Sequence, residues 1–126
     1  MASEGLTHKN AKAFFVKKKK IWTSSGVLTI KKTIEEYEYF YNNRQMIADL
    51  CLHTEEKGVI IVEIAVRNSI KNSYKLHTLN PANTIIINLE KEKTNLSFKQ
   101  IESLLYKDDG TYVQWLNEYK AAHSLI

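Results

Sequence analysis

The chain has 126 residues, of which 44% are hydrophobic and 25% are charged, and its formal net charge at pH 7 is +4. This balance excludes a disordered chain, and the lack of a long apolar run excludes a membrane-spanning helix. The single cysteine, Cys51, cannot form an internal disulfide, and the lysine-rich start lacks the apolar segment of a secretory signal. We therefore expect one domain over residues 1–126, in the cytoplasm and independent of membranes.

Apolar periodicity and turn residues in the first half of the chain predict one helix followed by strands. The expected elements are a helix over 3–18, with Ser3 or Thr7 as its cap, and strands over 27–30, 34–40, 46–52 and 59–66. The last two of these strands are nearly continuous apolar runs, which is typical of neighbouring central strands that are buried on both faces.

The second half of the chain predicts a crossover unit and two terminal helices. The expected elements are a helix over 68–79, a strand over 84–89, and helices over 97–106 and 111–122, with Ser97 and Thr111 as caps. Because a strand-helix-strand crossover joins parallel strands, the strand over 84–89 should lie parallel to the strand over 59–66. The fold class is therefore α/β, with a central mixed sheet of about four or five strands flanked by helices.

Two carboxylates interrupt the central apolar strands. Asp49 and Glu63 are each the single acid in such a run, and a buried carboxylate needs a cation, hydrogen bonds or an opening in the sheet. Each acid could lie at a strand edge or pair with Arg44, Arg67 or a lysine. If the two strands form a hairpin, the acids face one another, and paired carboxylates are suited to binding Mg²⁺ or Mn²⁺.

The segment Ala48-Asp49-Leu50, followed by a turn and then Val62-Glu63-Ile64-Ala65-Val66, resembles the core of PD-(D/E)XK nucleases. More narrowly, the chain is similar to the nuclease domain of CoiA-like competence proteins. The further matching residues are Glu4, His8 and Lys12 in the opening helix, Arg44 before the first acid, Asn88-Leu89-Glu90, and Trp115-Leu116-Asn117. The resemblance covers most of the chain and implies a restriction-endonuclease-like core.

The resemblance also implies a metal-dependent endonuclease that hydrolyses phosphodiester bonds of nucleic acid, with DNA as the expected substrate. Asp49 and Glu63 would hold Mg²⁺ or Mn²⁺, and Glu4 would extend the metal shell. The lysine that the superfamily carries two residues after the second acid falls at Ala65. Lys71 or Lys75, on the following helix, is expected to take over its catalytic role.

Basic residues early in the chain favour a polyanionic partner. The expected nucleic-acid-binding residues are His8, Lys12, Lys17, Lys18, Lys19, Lys20, Arg44 and Arg67. The alternative for the lysines is a solvated surface, and the alternative for Glu4 and His8 is an exposed pair at a helix end. Likewise, the row formed by Tyr37, Tyr39 and Tyr41 either packs across strands or stacks on bases.

Three functional hypotheses remain open from the residues. The first is the endonuclease. The small size of the chain is compatible with a homodimer under each of the three hypotheses, and cutting both strands of a duplex calls for two sites. The second is an inactive nuclease-fold module, such as a phage or mobile-element factor, that binds nucleic acid or a protein partner; Ala65 favours it. The third is a structural subunit with neither activity.

Overall fold

The computed structural model describes residues 5–41, 43–66, 83–92, 95–105 and 112–122. The expected helix over 68–79, with Lys71 and Lys75, lies outside the described residues, as do Glu4 and Arg67. Among the described residues, no helix is both long and apolar enough to cross a membrane.

The described residues form an α/β structure with three helices and one six-stranded mixed sheet. The helices are α1 (His8–Phe15), α2 (Phe98–Leu105) and α3 (Leu116–Ala122). The strands are β1 (Lys20–Thr23), β2 (Gly26–Tyr41), β3 (Arg44–Thr54), β4 (Gly58–Ala65), β5 (Thr84–Asn88) and β6 (Val113–Trp115). Their order in the sheet is the order along the chain. The expected parallel pairing of β4 with β5 is confirmed, and the other neighbouring strands are antiparallel.

The expectation of four or five strands is too low, because β1 and β6 are also present. β1 follows a lysine run that reads as a helix end, yet Lys20 pairs with Thr29 and Thr23 pairs with Gly26 in a tight hairpin. β6 occupies the start of the helix expected over 111–122. Its pairing with β5 overrides the local helical pattern, so that only Leu116–Ala122 is helical.

The sheet has a core on each face. On the first face, Phe15 of α1 and Ile101 of α2 pack against buried strand residues such as Leu50, Leu52 and Ile60. On the second face, α3 packs against β4 and β5 through a small cluster formed by Ala65, Ile86, Leu116 and Tyr119. The larger core therefore fixes α1 against the middle of the sheet.

A break in the pairing of β2 with β3 lies close to α1. Glu35 pairs with Leu50 and Tyr37 pairs with Ala48, so Glu36 and Asp49 occupy the opposed positions between these pairs but are not paired with each other. The φ of Glu36 is +50°, which is outside the range of a regular strand. Ala48 and Cys51, three residues apart, share one hydrophobic cluster, although regular alternation would place them on opposite faces. The alternation of faces along β3 is therefore interrupted between Ala48 and Cys51.

The N-cap of α1 is the first target for a test. The Thr7 side chain accepts a hydrogen bond of 3.1 Å from the Asn10 amide. We expect Thr7→Ala to lower the free energy of unfolding by about 1 kcal/mol because a helix-end amide loses its partner. Thr7→Ser, which keeps the hydroxyl, should stay close to the original protein in urea unfolding. Equal losses in the two variants would contradict a capping role.

Candidate acidic site

Asp49 and Glu63 meet where the hydrogen-bond ladder between β3 and β4 ends. The paired register runs from Thr54 and Gly58 to Leu50 and Val62, so Asp49 and Glu63 occupy the next opposed positions. At these positions the side-chain carboxylates accept hydrogen bonds from backbone amides. The Asp49 amide donates to Glu63 Oε2 at 3.3 Å, and the Ile64 amide donates to Asp49 Oδ2 at 2.7 Å. The structure thus brings together the two acids that the sequence singles out.

Burial makes these contacts necessary. Glu63 is only 3% exposed and the Asp49 side chain is 16% exposed. An ionised carboxylate at such a position is costly unless amides or cations compensate its charge. The β3 and β4 amides supply part of that compensation, and α1 supplies more.

Helix α1 brings two basic side chains to this region. His8 and Lys12 are four residues apart and therefore lie on one face of the helix. His8 Nε2 lies 2.8 Å from Asp49 Oδ2, and Lys12 forms an ion pair with Glu36. The two α1 side chains therefore contact Asp49 and Glu36, which occupy opposed positions on β3 and β2.

The electrostatic consequences follow from these contacts. The hydrogen bond to Asp49 raises the pKa of His8, an effect that burial partly offsets and the nearby Glu63 charge reinforces. The pKa of Lys12 is raised mainly by Glu36, with a smaller contribution from the Asp49 charge. Both groups are thereby favoured in their charged forms, so positive charge lies beside the acids.

The other predicted site residues are distributed differently. Arg44 is exposed at the start of β3, five residues from Asp49 and hence about 16 Å away along the strand. Lys17, Lys19 and Lys20 are exposed after α1, and the Lys18 ammonium lies 5.7 Å from the centre of the Phe15 ring. Arg44 is therefore far from the acids along β3.

The donor set fits a hard divalent cation only in part. Two adjacent carboxylates match Mg²⁺, which is commonly held by one or two carboxylates together with substrate phosphate. The contacts of Asp49 with His8 and Ile64 both use Oδ2. Over the described ranges, no group of three His, Cys, Asp or Glu side chains is arranged to hold a metal ion. The described residues therefore bring two carboxylates together, Asp49 and Glu63, without a third side chain of these types placed to complete a metal site.

Sequence reasoning did not assign Tyr39 to this site. Its ring stacks on that of Tyr37, with centroids 6.0 Å apart and planes 13° apart. Its hydroxyl oxygen is buried and has no hydrogen-bond partner in the described part of the chain. Burial and the Glu63 charge raise the pKa of Tyr39, so the hydroxyl stays protonated. Residue alternation along β2 predicts a shared face for the tyrosines, but nothing local in sequence indicates that Tyr39 lies near Glu63.

The chain matches no protein-family model, no curated protein and no solved structure. The fold and site define an α/β protein with a buried acidic pair in a mixed sheet. The relation to PD-(D/E)XK nucleases stays a prediction from the residues that carry it.

Two tyrosines provide a matched test of buried hydroxyls. The Tyr119 hydroxyl donates to Glu90 Oε1 at 2.9 Å, whereas that of Tyr39 has no such acceptor among the described residues. We expect Tyr39→Phe to leave the free energy of unfolding unchanged or raise it by up to about 1 kcal/mol. Tyr119→Phe should lower it by about 1–2 kcal/mol. A comparable loss for Tyr39→Phe in urea unfolding would show that its hydroxyl is satisfied in the fold.

The His8 contact predicts a pH dependence of stability. Since the folded-state pKa of His8 is raised, its contribution is present below about pH 6.5, the unfolded value, and is lost as pH rises through the folded value. The side chain is 40% exposed, so the effect should be less than about 1 kcal/mol. Urea unfolding in EDTA from pH 5 to 8 measures it. His8→Gln should flatten the profile, and an unchanged profile would contradict the assignment.

Proposed function

We propose that this protein is a metal-dependent endonuclease that hydrolyses phosphodiester bonds of nucleic acid, with DNA as the expected substrate. The observation that carries the proposal is the meeting of Asp49 and Glu63 where the β3–β4 ladder ends. Two buried carboxylates held together in an otherwise apolar sheet are suited to a hard cation.

Asp49 and Glu63 would hold the ion, Mg²⁺ or Mn²⁺. Such an ion activates water and neutralises charge that develops on the phosphate. Glu4 would extend the metal shell, and Lys75 or Lys71 would support the attacking water or the scissile phosphate; all three lie outside the described residues.

Helix α1 supports phosphate binding at the same place. His8 Nε2 lies 2.8 Å from Asp49 Oδ2, and the Lys12 ammonium is influenced by the Asp49 charge. Both basic side chains lie beside the acids, where a phosphate that bridges to a bound metal would pass. Their role is to attract and orient the phosphate, while the backbone amide of Ile64 holds the Asp49 carboxylate in place.

The second candidate is an inactive nuclease-fold module that binds nucleic acid or a protein partner. Position 65 favours it, because Ala65 is fully buried and packs with Ile86, Leu116 and Tyr119. A long basic side chain would not fit in that cluster without displacing α3. Catalysis would therefore depend on a lysine from elsewhere in the chain. A homodimer remains part of the nuclease proposal, because it would supply two sites to a duplex.

The test is cleavage of labelled single- and double-stranded DNA and RNA with Mg²⁺ or Mn²⁺. Asp49→Asn and Glu63→Gln keep hydrogen-bond acceptors while removing charge. Each should lower the cleavage rate by at least about 100-fold, as expected when a group that stabilises transition-state charge is lost. EDTA should abolish cleavage, and added Mg²⁺ should restore it.

Glu102→Gln is the control, because Glu102 is an exposed acid on α2. It should leave the rate unchanged. Cleavage that survives both acid substitutions would exclude the site. Absence of cleavage in a folded protein that still binds nucleic acid in EDTA would favour the inactive module.

A further inference from the structure

Two lysine runs that are separate in sequence come together in the fold. Lys17–Lys20 follow α1, whereas Lys31 and Lys32 lie on β2. Lys20 pairs with Thr29, and the Ile30 amide donates to the Lys19 carbonyl at 2.8 Å. This register places the end of the first run beside the start of the second.

The local charge balance is positive. Lys17, Lys19, Lys31 and Lys32 are exposed, and none of them forms an ion pair with a described carboxylate. Two exposed acids adjoin this region, Glu55, whose amide donates to the Thr29 carbonyl, and Glu56. Glu56 accepts hydrogen bonds from the Thr29 amide and hydroxyl, which lower its pKa, and the Lys20 charge adds to that effect. The charge of Lys20 is thus partly compensated. We call the set of four exposed lysines, Lys17, Lys19, Lys31 and Lys32, the lysine surface.

Two chain paths connect the lysine surface to the acidic site. Helix α1 has eight residues between the His8 contact and the lysines, a length of about 12 Å. Along β2, Lys32 and Glu36 are four positions apart, which is about 13 Å. Phosphates on one strand of a duplex are about 3.4 Å apart along the axis. The lysine surface therefore lies about four nucleotides from the acids.

We propose that Lys17, Lys19, Lys31 and Lys32 bind the phosphate backbone of a nucleic acid strand about four nucleotides to one side of the acidic site. The choice of partner rests on the proposed function, but binding here needs neither metal nor turnover. The contact is electrostatic and independent of base sequence, since ammonium groups on flexible stems neutralise phosphates without reading bases. Binding should therefore weaken steeply with salt.

The test is fluorescence anisotropy with a labelled 20-base-pair duplex in EDTA over a range of salt concentrations. The variant Lys17→Gln with Lys31→Gln removes one lysine from each run. Its affinity at about 50 mM salt should fall by at least about tenfold. The negative slope of log K against log salt should become shallower by about 1.8, or about 0.9 per lost phosphate contact.

Two further variants make the result specific. Lys91→Gln with Lys99→Gln removes the same charge at exposed positions outside the lysine surface and should change affinity less than about twofold. Lys17→Arg with Lys31→Arg keeps the charge and should retain binding. An equal loss of affinity in the Lys91 and Lys99 variant would show that net charge alone causes the effect and would overturn the proposal. Unchanged affinity after Lys17→Gln with Lys31→Gln would also overturn it.

The two proposals fail separately. Loss of binding in the Lys17 and Lys31 variant, in a protein that never cleaves, supports the lysine surface and contradicts the nuclease. Metal-dependent cleavage, together with binding that does not depend on these lysines, supports the nuclease and contradicts the lysine surface. If both hold, duplexes that extend fewer than four nucleotides on that side of the cut should be cleaved with a higher KM.

Discussion

The structure depends on how the chain compensates two carboxylates inside an apolar sheet. Glu63 is buried and Asp49 nearly so, and the regular β3–β4 ladder gives way to contacts between amides and these side chains. The need to compensate the Asp49 charge also connects the sheet to α1, because His8 contacts Asp49. Asp49 lies opposite Glu36, where the alternation of faces along β3 is interrupted, and α1 contacts both of these acids through His8 and Lys12. The positions of the strands and of α1 are therefore coupled through one acidic site.

The burial of this acidic pair has a cost in folding stability. Buried ionic groups can often be replaced by apolar residues of similar volume with no loss of stability or even a gain. A purely structural subunit would have little reason to keep Glu63 at 3% exposure. A divalent cation held by the two carboxylates would offset their charge, as the proposed function requires. The buried position of Ala65 favours the inactive module, so the balance between catalysis and binding depends on which other basic group reaches the acids.

Helix α1 links both proposals. With eight residues it is too short to be stable alone, so its position is set by packing of Phe14 and Phe15 and by the polar contacts of His8 and Lys12. One end of the helix touches the acidic site and the other leads into the lysine surface. A nucleic acid strand that follows α1 would meet carboxylates first and ammonium groups about four nucleotides later.

The sequence by itself determined the central strands, whose long apolar runs are local signals, and the parallel pairing of β4 with β5, which follows from the crossover rule. It also indicated that Asp49 and Glu63 face one another if their strands form a hairpin, as β3 and β4 do. It offered Ser3 or Thr7 as the first cap, of which Thr7 caps α1, and it located α2, which begins after Ser97. Only the tertiary structure decided that β1 and β6 join the sheet, that Tyr39 lies near Glu63, and that the two lysine runs meet. These features depend on strand pairing and packing between distant segments, and a short stretch of three or four residues carries too little periodicity to reveal its partner.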